Sequence, residues 1–499
     1  MTEWRYRELA LLAVTFSLVV FGGFLRFHDL GHKSLWTDEL FSVDIALFRD
    51  FLPPSAADGE VFRRTQIPGI NSHDTFLTLK AADQSPPLNE FLMRLSGKVL
   101  GFDEYSMRLH SAIAGTLLLI FIAVLAVRER DHVGRRALIL ALFFSAFSPA
   151  LIEYAQEARA YALGSTICFI AFWFWYVRWR DSGAELGRPP IFVDYVLWLA
   201  AAYTHYNALI FVSILAAFDA YAAVRRSNWR VIRSMVLLLV LFLPWLWLNY
   251  HALVFSAQGG IGWAKQSFFS AFSQSVPLTM KMLGEAWSFL FIFAAWLVVL
   301  QRNRGAEDLG GKKRLLVLTL IYVWFLLICY VVGRSGVFHS RHFVFLIPVV
   351  YFWAATTISA IRSASVAFLL VLVFSAGIPE SIKNLYGAMK EDYRSASNHA
   401  CSMIDSDVPV VTTWAPNSNF YKFYLRQCAA KGPAAHYSLS TPAEYPGLCD
   451  QVGTARRVVF EYPDAHTGVV DGFRAVCGQQ FSQKERTRFY GVSAEVWNR

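Results

Sequence analysis

Long apolar runs separated by short polar gaps dominate the first three quarters of the chain. Runs of spanning or near-spanning length fall at 9–25, 106–127, 137–152, 160–177, 191–203, 206–224, 231–250, 286–300, 315–332, 343–360 and 364–378. A membrane-crossing helix needs roughly 20 mostly apolar residues, so the pattern predicts a polytopic α-helical membrane protein of about 11 transmembrane helices. The runs at 137–152 and 191–203 are the shortest. The first run has no A-x-A-like cleavage site and is followed by Arg26 and a polar loop. It is therefore expected to be an uncleaved first span rather than a signal peptide.

The pattern changes near residue 380. "EDYRSASNHACSMI" and "NSNFYKFYLRQC" have helical spacing, whereas "VPVVTT", "RRVVFEY" and "SAEVW" read as strands. Residues 381–499 are accordingly expected to form a soluble C-terminal α/β domain behind a transmembrane domain over 1–380. The long loop 27–105 also has helical stretches, "DELFSVDIALFRDFL" and "LNEFLMRLSGKVLGF". These are expected to lie flat at the membrane interface.

Composition supports this reading. The chain is 55% hydrophobic and 17% charged with mean hydropathy +0.38, more apolar than a soluble domain of this size requires. The net charge of +9 is not a nucleic-acid footprint, because most of the Lys and Arg fall in short gaps between apolar runs. With the N-terminus inside, alternate gaps carry Arg128, Arg130, Arg135 and Arg136, then Arg178, Arg180 and Arg188, then Arg225, Arg226, Arg230 and Arg233. The opposite gaps are poor in positive charge, as the positive-inside rule requires. An odd number of spans places the tail outside the cytoplasm. The tail also holds Cys401, Cys428, Cys449 and Cys477, an even set that fits two disulfides in an oxidising compartment, with all three pairings open.

The candidate chemistry lies on the outer side. "SLWTDELFS" carries Asp38 and Glu39, and "KAADQSPPLNEFLMRL" carries Asp83 and Ser85 ahead of a double proline. "IEYAQEARAY" carries Glu157, Arg159 and Tyr161, "YTHYNA" carries His205, and "GRSGVFHSRHF" carries Arg334, His339 and Arg341. Each has a structural alternative: a helix cap for Asp38 or Glu39, a snorkelling arginine for Arg341, a satisfied interfacial histidine for His205. Ionisable groups at span ends on a single face are costly, and together they mark a site.

In their order, these motifs resemble the GT-C glycosyltransferases of the protein-mannosyltransferase and aminoarabinose-transferase branch, over about residues 1–380. These are polytopic enzymes that take a sugar from a polyprenyl-phosphate carrier on the outer face of the membrane. The resemblance implies a catalytic base at Asp38, with Glu39 completing the acidic pair and Glu157 as the acid of the second outer turn. It implies contacts to the donor phosphate or substrate from Arg341, Arg159, Arg108, Tyr161, Arg334, His339 and Ser85. Some relatives bind a divalent metal ion, which here would fall near Asp83 and His205; no other cofactor is implied. One position departs from the family: many relatives have Lys or His immediately before the double proline, where this chain has Ser85.

The chemistry suits these residue types. A phosphate leaving group needs charge stabilisation more than protonation, and arginine supplies it bidentately. The acceptor hydroxyl needs a base, which a carboxylate provides. One base and one phosphate clamp suffice for displacement with inversion, unlike the paired carboxylates of glycosidases. The partners expected are a polyprenyl-phosphate-linked sugar donor, a lipid, glycan or protein acceptor, and the bilayer of a plasma (bacterial inner) membrane, with no nucleic acid. A transporter or flippase of a lipid-linked glycan, and a GT-C-like glycan ligase or polymerase, are the competing readings. The first of these predicts charges along a central path and half-repeats, and no half-repeat is apparent.

Overall fold

The structure, a computed structural model, describes residues 2–47, 76–82, 85–180, 188–257, 270, 273, 317–321, 323–324, 326–327, 340–361, 363–404, 408–413, 423–424, 436–439 and 442–499. Among the described residues of the first half of the chain there are eleven helices: α1 (Thr2–Phe27), α2 (Thr37–Leu47), α3 (Phe76–Ala82), α4 (Leu88–Leu100), α5 (Glu104–Arg128), α6 (His132–Phe147), α7 (Pro149–Ala155), α8 (Tyr161–Arg180), α9 (Phe192–Thr204), α10 (Tyr206–Arg225) and α11 (Trp229–Ala257). A 3-10 turn at Ser340–Leu346 then leads into helices Ile347–Ser359, Ala364–Ser375 and Ile378–Gly387. Among the described residues six helices are long and apolar enough to cross a membrane, or seven if α6 and α7 count as one bent span. The chain is an integral membrane protein. The expected span at 286–300 lies outside the described residues, and that at 315–332 does so in part.

The chain divides into two compact units. The first comprises Met1–His28, Leu77–Leu92 and Arg108–Gly387; the second comprises Asp29–Phe76, Met93–Met107 and Ala388–Arg499.

In the first unit, the apolar run at 137–152 is not one straight helix. It breaks between α6 and α7, which are bent by 58°. Pro149 has no N–H to donate and disfavours a helical residue before it, so Ser148 is extended. The Ser148 hydroxyl takes over the cap, accepting the Leu151 N–H at 3.3 Å and the Tyr351 hydroxyl at 2.8 Å. The carbonyls at the end of α6 are then answered by Arg26, which is fully buried. Its guanidinium donates to Ser145 O at 2.9 Å, Ala146 O at 3.3 Å and Gly22 O at 2.7 Å. Gly115 makes room, since a Cβ there would lie 3.0 Å from the Arg26 Nε. Arg26→Leu should therefore strand buried carbonyl acceptors and cost roughly 3 kcal/mol. The readout is a lowered thermal midpoint of the detergent-solubilised protein, and an unchanged midpoint would refute the capping role.

At the other end of α8, Arg178 is buried between two acids. It lies 3.0 Å from Asp194 at the start of α9 and 2.8 Å from Asp219 in α10. A second Asp219 oxygen accepts the Trp179 indole N–H at 3.0 Å. Arg178 thus ties α8, α9 and α10 together, a role its place among the basic gap residues did not suggest.

The second unit contains a five-stranded sheet: β1 (Val410–Thr413), β2 (His436–Leu439), β3 (Arg457–Pro463), β4 (Gln483–Phe489) and β5 (Val492–Asn498), in the order β2-β1-β3-β5-β4. β1 runs parallel to β2 and β3, and β5 is antiparallel to β3 and β4. One face packs Val410, Val459 and Val496 with Ala400 and Ile404, the latter two from helix Tyr393–Met403 and its end. The other face packs Phe460 and Trp497 with Leu448 and Phe473, from helices Tyr445–Val452 and Thr467–Cys477. Cys449 and Cys477 join those two helices in a disulfide, with Cα atoms 5.5 Å apart, and Cys401 is disulfide-bonded as well. Three of the five strands lie where the sequence pattern places them.

Glu461 sits on β3 with its side chain fully buried, accepting the Ser397 hydroxyl at 2.7 Å. Burial holds this carboxyl well above the usual carboxylate range. The folded state therefore keeps a proton that the unfolded chain gives up. Its contribution to stability is complete below the ordinary glutamate range and is lost as pH rises toward the folded-state pKa. Glu461→Gln should flatten the fall of the thermal midpoint across that window. Parallel melting curves of the parent and the variant from pH 5 to pH 8 would contradict this.

Candidate active site

In the first unit, three turns between helices bring their side chains to one neighbourhood. α7 ends at Ala155, and Gln156 turns back to donate to Leu25 O at 2.9 Å and His28 O at 2.8 Å, closing the end of α1. The turn that follows buries Glu157 and presents Arg159, whose guanidinium lies 5.9 Å from the centre of the Tyr161 ring. Tyr161 opens α8 and packs edge-on against Tyr154 at 5.0 Å. Tyr154 in turn lies within electrostatic range of Glu157 and Arg341.

His205 occupies the extended break between α9 and α10. Its Nδ1 accepts the Asn207 N–H at 3.1 Å, which caps α10 and fixes the proton on Nε2. The imidazole lies 6.0 Å from the Tyr161 ring and 4.9 Å from that of Phe345. Phe345 can approach this closely because α8 has Gly164 beneath it; a Cβ there would run into the ring. Asn207 also bridges to His342, its amide nitrogen 2.9 Å from the His342 Nδ1. Burial pushes the His205 imidazole well below its ordinary range, and His342, Arg159, Lys80 and Arg341 push in the same direction. His205 is thus a neutral hydrogen-bonding group encircled by basic ones.

Lys80, in the last turn of α3, is the residue that the sequence motifs missed. It is completely buried, 2.9 Å from the Glu90 carboxylate, and donates to the Ser85 hydroxyl at 2.5 Å. Ser85 is the position that departs from the family pattern. The expected positive group is present after all, but it arrives from five residues upstream through the fold. A lysine on the quoted "KAADQSPP" stretch was visible in the sequence. The signal that could have found it was the apolar helix it closes, since a lysine there must be buried and paired. On the next helix, Asn89 Oδ1 lies 2.9 Å from the His110 Nε2. Ser111 then reaches the Arg159 carbonyl at 3.2 Å, joining the double-proline element to the second outer turn. Arg108 is buried on α5, two positions before His110.

Asp83, Arg334 and His339 lie outside the described residues. Among the described residues no group of three or more His, Cys, Asp and Glu side chains is disposed to hold a metal ion, and Asp83, one of the two expected ligands, is not among those residues.

In the second unit, "SLWTDELFS" is a turn entering α2. Asp38 and Glu39 lie in the first helical turn, where the N–H groups and the helix dipole favour carboxylates. The two acids differ. Glu39 is fully buried and accepts the Trp36 N–H at 3.2 Å, reaching back to the residue before the helix as the acid of a capping box does. Asp38 is half-exposed. The adjacency in sequence suggested a pair, but the helix gives one acid to the cap and leaves the other at the surface of the turn. The carboxyl of Glu391 lies within electrostatic range of both. Burial pushes Glu391 above the usual carboxylate range, and Asp38 and Glu39 add to the shift.

No family model matches the chain, and no curated protein matches it. Among solved structures, ArnT from Cupriavidus metallidurans in the apo state is similar with TM-score 0.55 and 13% identity, over 99% of this chain and 98% of that one. The same protein bound to undecaprenyl phosphate is similar with TM-score 0.53 at 13% identity and the same coverage. The archaeal oligosaccharyltransferase AglB from Archaeoglobus fulgidus, in complex with an inhibitory peptide and a dolichol-phosphate, is similar with TM-score 0.52 and 11% identity, over 98% of this chain and 74% of that one. At these identities the likeness shows the fold.

Proposed function

We propose that this protein is a membrane glycosyltransferase that moves a sugar from a polyprenyl-phosphate carrier to an acceptor hydroxyl on the extracytoplasmic face, with inversion at the anomeric carbon. The observation that carries the reading is the gathering of polar groups beside His205: its ring lies 6.0 Å from that of Tyr161, over which Arg159 sits at 5.9 Å, and Asn207 joins the same break to His342 at 2.9 Å. Lys80 is answered by Glu90 at 2.9 Å, and a site lined with arginine, lysine and histidine suits an anionic ligand. In this fold, solved examples hold undecaprenyl phosphate and a dolichol-phosphate, which are anions of the required kind.

In the proposed reaction Lys80, Arg159 and Arg341 stabilise the phosphate as the bond to the sugar breaks, by placing charge where charge develops. The His205 Nε2–H adds a neutral donor. Asp38 takes the proton from the acceptor hydroxyl as its oxygen attacks. The carrier phosphate leaves as the anion, so the step needs no second acid. Glu157 orders the second outer turn. Glu39 holds the turn that carries Asp38. The N-terminus would be cytoplasmic, and residues 381–499 would form a soluble domain outside. The sugar, hexose or pentose, and the nature of the acceptor stay open.

The test is direct. Purified protein is offered a panel of undecaprenyl-phosphate-linked hexoses and pentoses with an envelope extract as acceptor, and release of undecaprenyl phosphate is measured. Release with transfer of label to the extract supports the reading. Movement of labelled carrier across a reconstituted bilayer with no release would favour the flippase instead.

A further inference from the structure

The turn that leads into Asp38 is bonded by residues from the far end of the chain. The Leu35 N–H donates to the Tyr424 hydroxyl at 2.7 Å, and Ser34 Oγ lies 3.2 Å from the same oxygen. The Arg394 N–H donates to the Ser34 hydroxyl at 3.2 Å. The Lys390 ammonium sits over the Trp36 ring, 5.1 Å from its centre. Thr37 Oγ1, one residue before Asp38, is 2.9 Å from the Tyr393 hydroxyl. The Arg394 guanidinium reaches the Gly31 and His32 carbonyls and pairs with Glu104 at 3.1 Å. Four consecutive residues, Ser34–Thr37, therefore each contact a tail side chain or backbone group.

The tail segment is itself rigidly placed. The Asp392 N–H donates to Tyr490 O at 2.8 Å, and the Asp464 N–H, just past β3, donates to Gly491 O at 2.9 Å. Gly491 has φ +70°, and a Cβ there would lie 3.0 Å from the Glu391 side chain. Glycine is thus needed both for the turn and for the approach of Glu391. Tyr393 opens a helix whose inner face packs on the sheet, and its side chain is fully buried. The segment Lys390–Arg394 is clamped between the β4–β5 turn on one side and the Asp38 turn on the other.

We propose that Tyr393 and Tyr424 are positioning residues for Asp38, so that the tail's sheet sets the orientation of the base. This rests on the assignment of Asp38 as the base. Asp38 follows directly on Thr37 at the start of α2, so the orientation of Thr37 bears on that of Asp38. A hydroxyl bond to Thr37 from a buried ring supplies a restraint at low entropic cost. Misplacement of a reacting group by about an ångström is enough to cost one to two orders of magnitude in rate.

The experiment uses the full chain and undecaprenyl-phosphate-linked sugars. Tyr393→Phe keeps the ring and removes the bond to Thr37; Thr37→Val removes the same bond from the other side. Each should lower kcat about tenfold with the donor KM within about twofold, and the double variant should be no slower than the worse single. Re-engaging the bond with Thr37→Ser should restore the rate. Should Tyr393→Phe fail to fold, Thr37→Val decides alone. Parent-like kcat in these variants, with or without a lower thermal midpoint, overturns the inference and leaves a merely structural contact. The two levels separate cleanly: an active parent, an inactive Asp38→Asn and an unimpaired Tyr393→Phe overturn this inference alone, whereas a parent that releases no carrier overturns the reading on which it rests.

Discussion

Asp38→Asn is expected to lower kcat for sugar transfer by roughly 10²–10⁴-fold while leaving the fold and the donor KM almost unchanged. Asparagine keeps the size of the side chain and can still hydrogen-bond to the helix N-terminus, but it cannot accept the acceptor's proton. Glu39→Gln supplies the contrast. Its amide oxygen can still accept the Trp36 N–H that the Glu39 carboxylate accepts at 3.2 Å, so the cap survives and the rate should fall by less than about tenfold, with a modest loss of stability. Rates and thermal midpoints of both variants, measured together, check this. Equal losses of kcat would mean that the two carboxylates act as a pair, and a parent-like Asp38→Asn would remove Asp38 from the mechanism.

The second large effect is at Lys80. Lys80→Met leaves the Glu90 carboxylate buried without the ammonium 2.9 Å away, and breaking a buried pair from one side costs roughly 3–5 kcal/mol. Low yield or a much lower thermal midpoint is expected. Adding Glu90→Gln removes the stranded charge and should recover most of the stability. It should not recover the donor: kcat/KM for a polyprenyl-phosphate sugar should stay roughly 10²-fold down, because one of the charges opposite the phosphate is gone. A double variant with parent-like kcat/KM would make Lys80 a structural lysine only.

Much of this was legible in the sequence, for identifiable reasons. Apolar run length is read directly against bilayer thickness, so α1, α5, α10 and α11 lie where the runs predict. Short runs rich in Val, Thr, Phe and Tyr mark β1, β3 and β5 as strands, and these are buried along nearly their whole length. The acids of "TDEL" are placed in a first helical turn because that is where helix chemistry accepts them. The family resemblance, from the order and sidedness of short motifs, led to the fold that the solved structures show.

What failed to be legible depended on contacts distant in sequence. The break between α6 and α7 follows from Pro149, but only Arg26, more than a hundred residues earlier, makes it affordable inside a bilayer. Arg178 reads as a topology charge until Asp194 and Asp219 close on it.

The sequence by itself determined the apolar runs that become α1, α5, α10 and α11 and the segments that become β1, β3 and β5. These are properties of composition and period, and each residue carries them locally. Only the tertiary structure decided that Arg26 answers the carbonyls at the break after α6, and that Tyr393 and Tyr424 hold the turn at Ser34–Thr37. Those outcomes depend on hydrogen bonds between residues as much as 390 positions apart in the chain, and no local pattern encodes a partner at that distance.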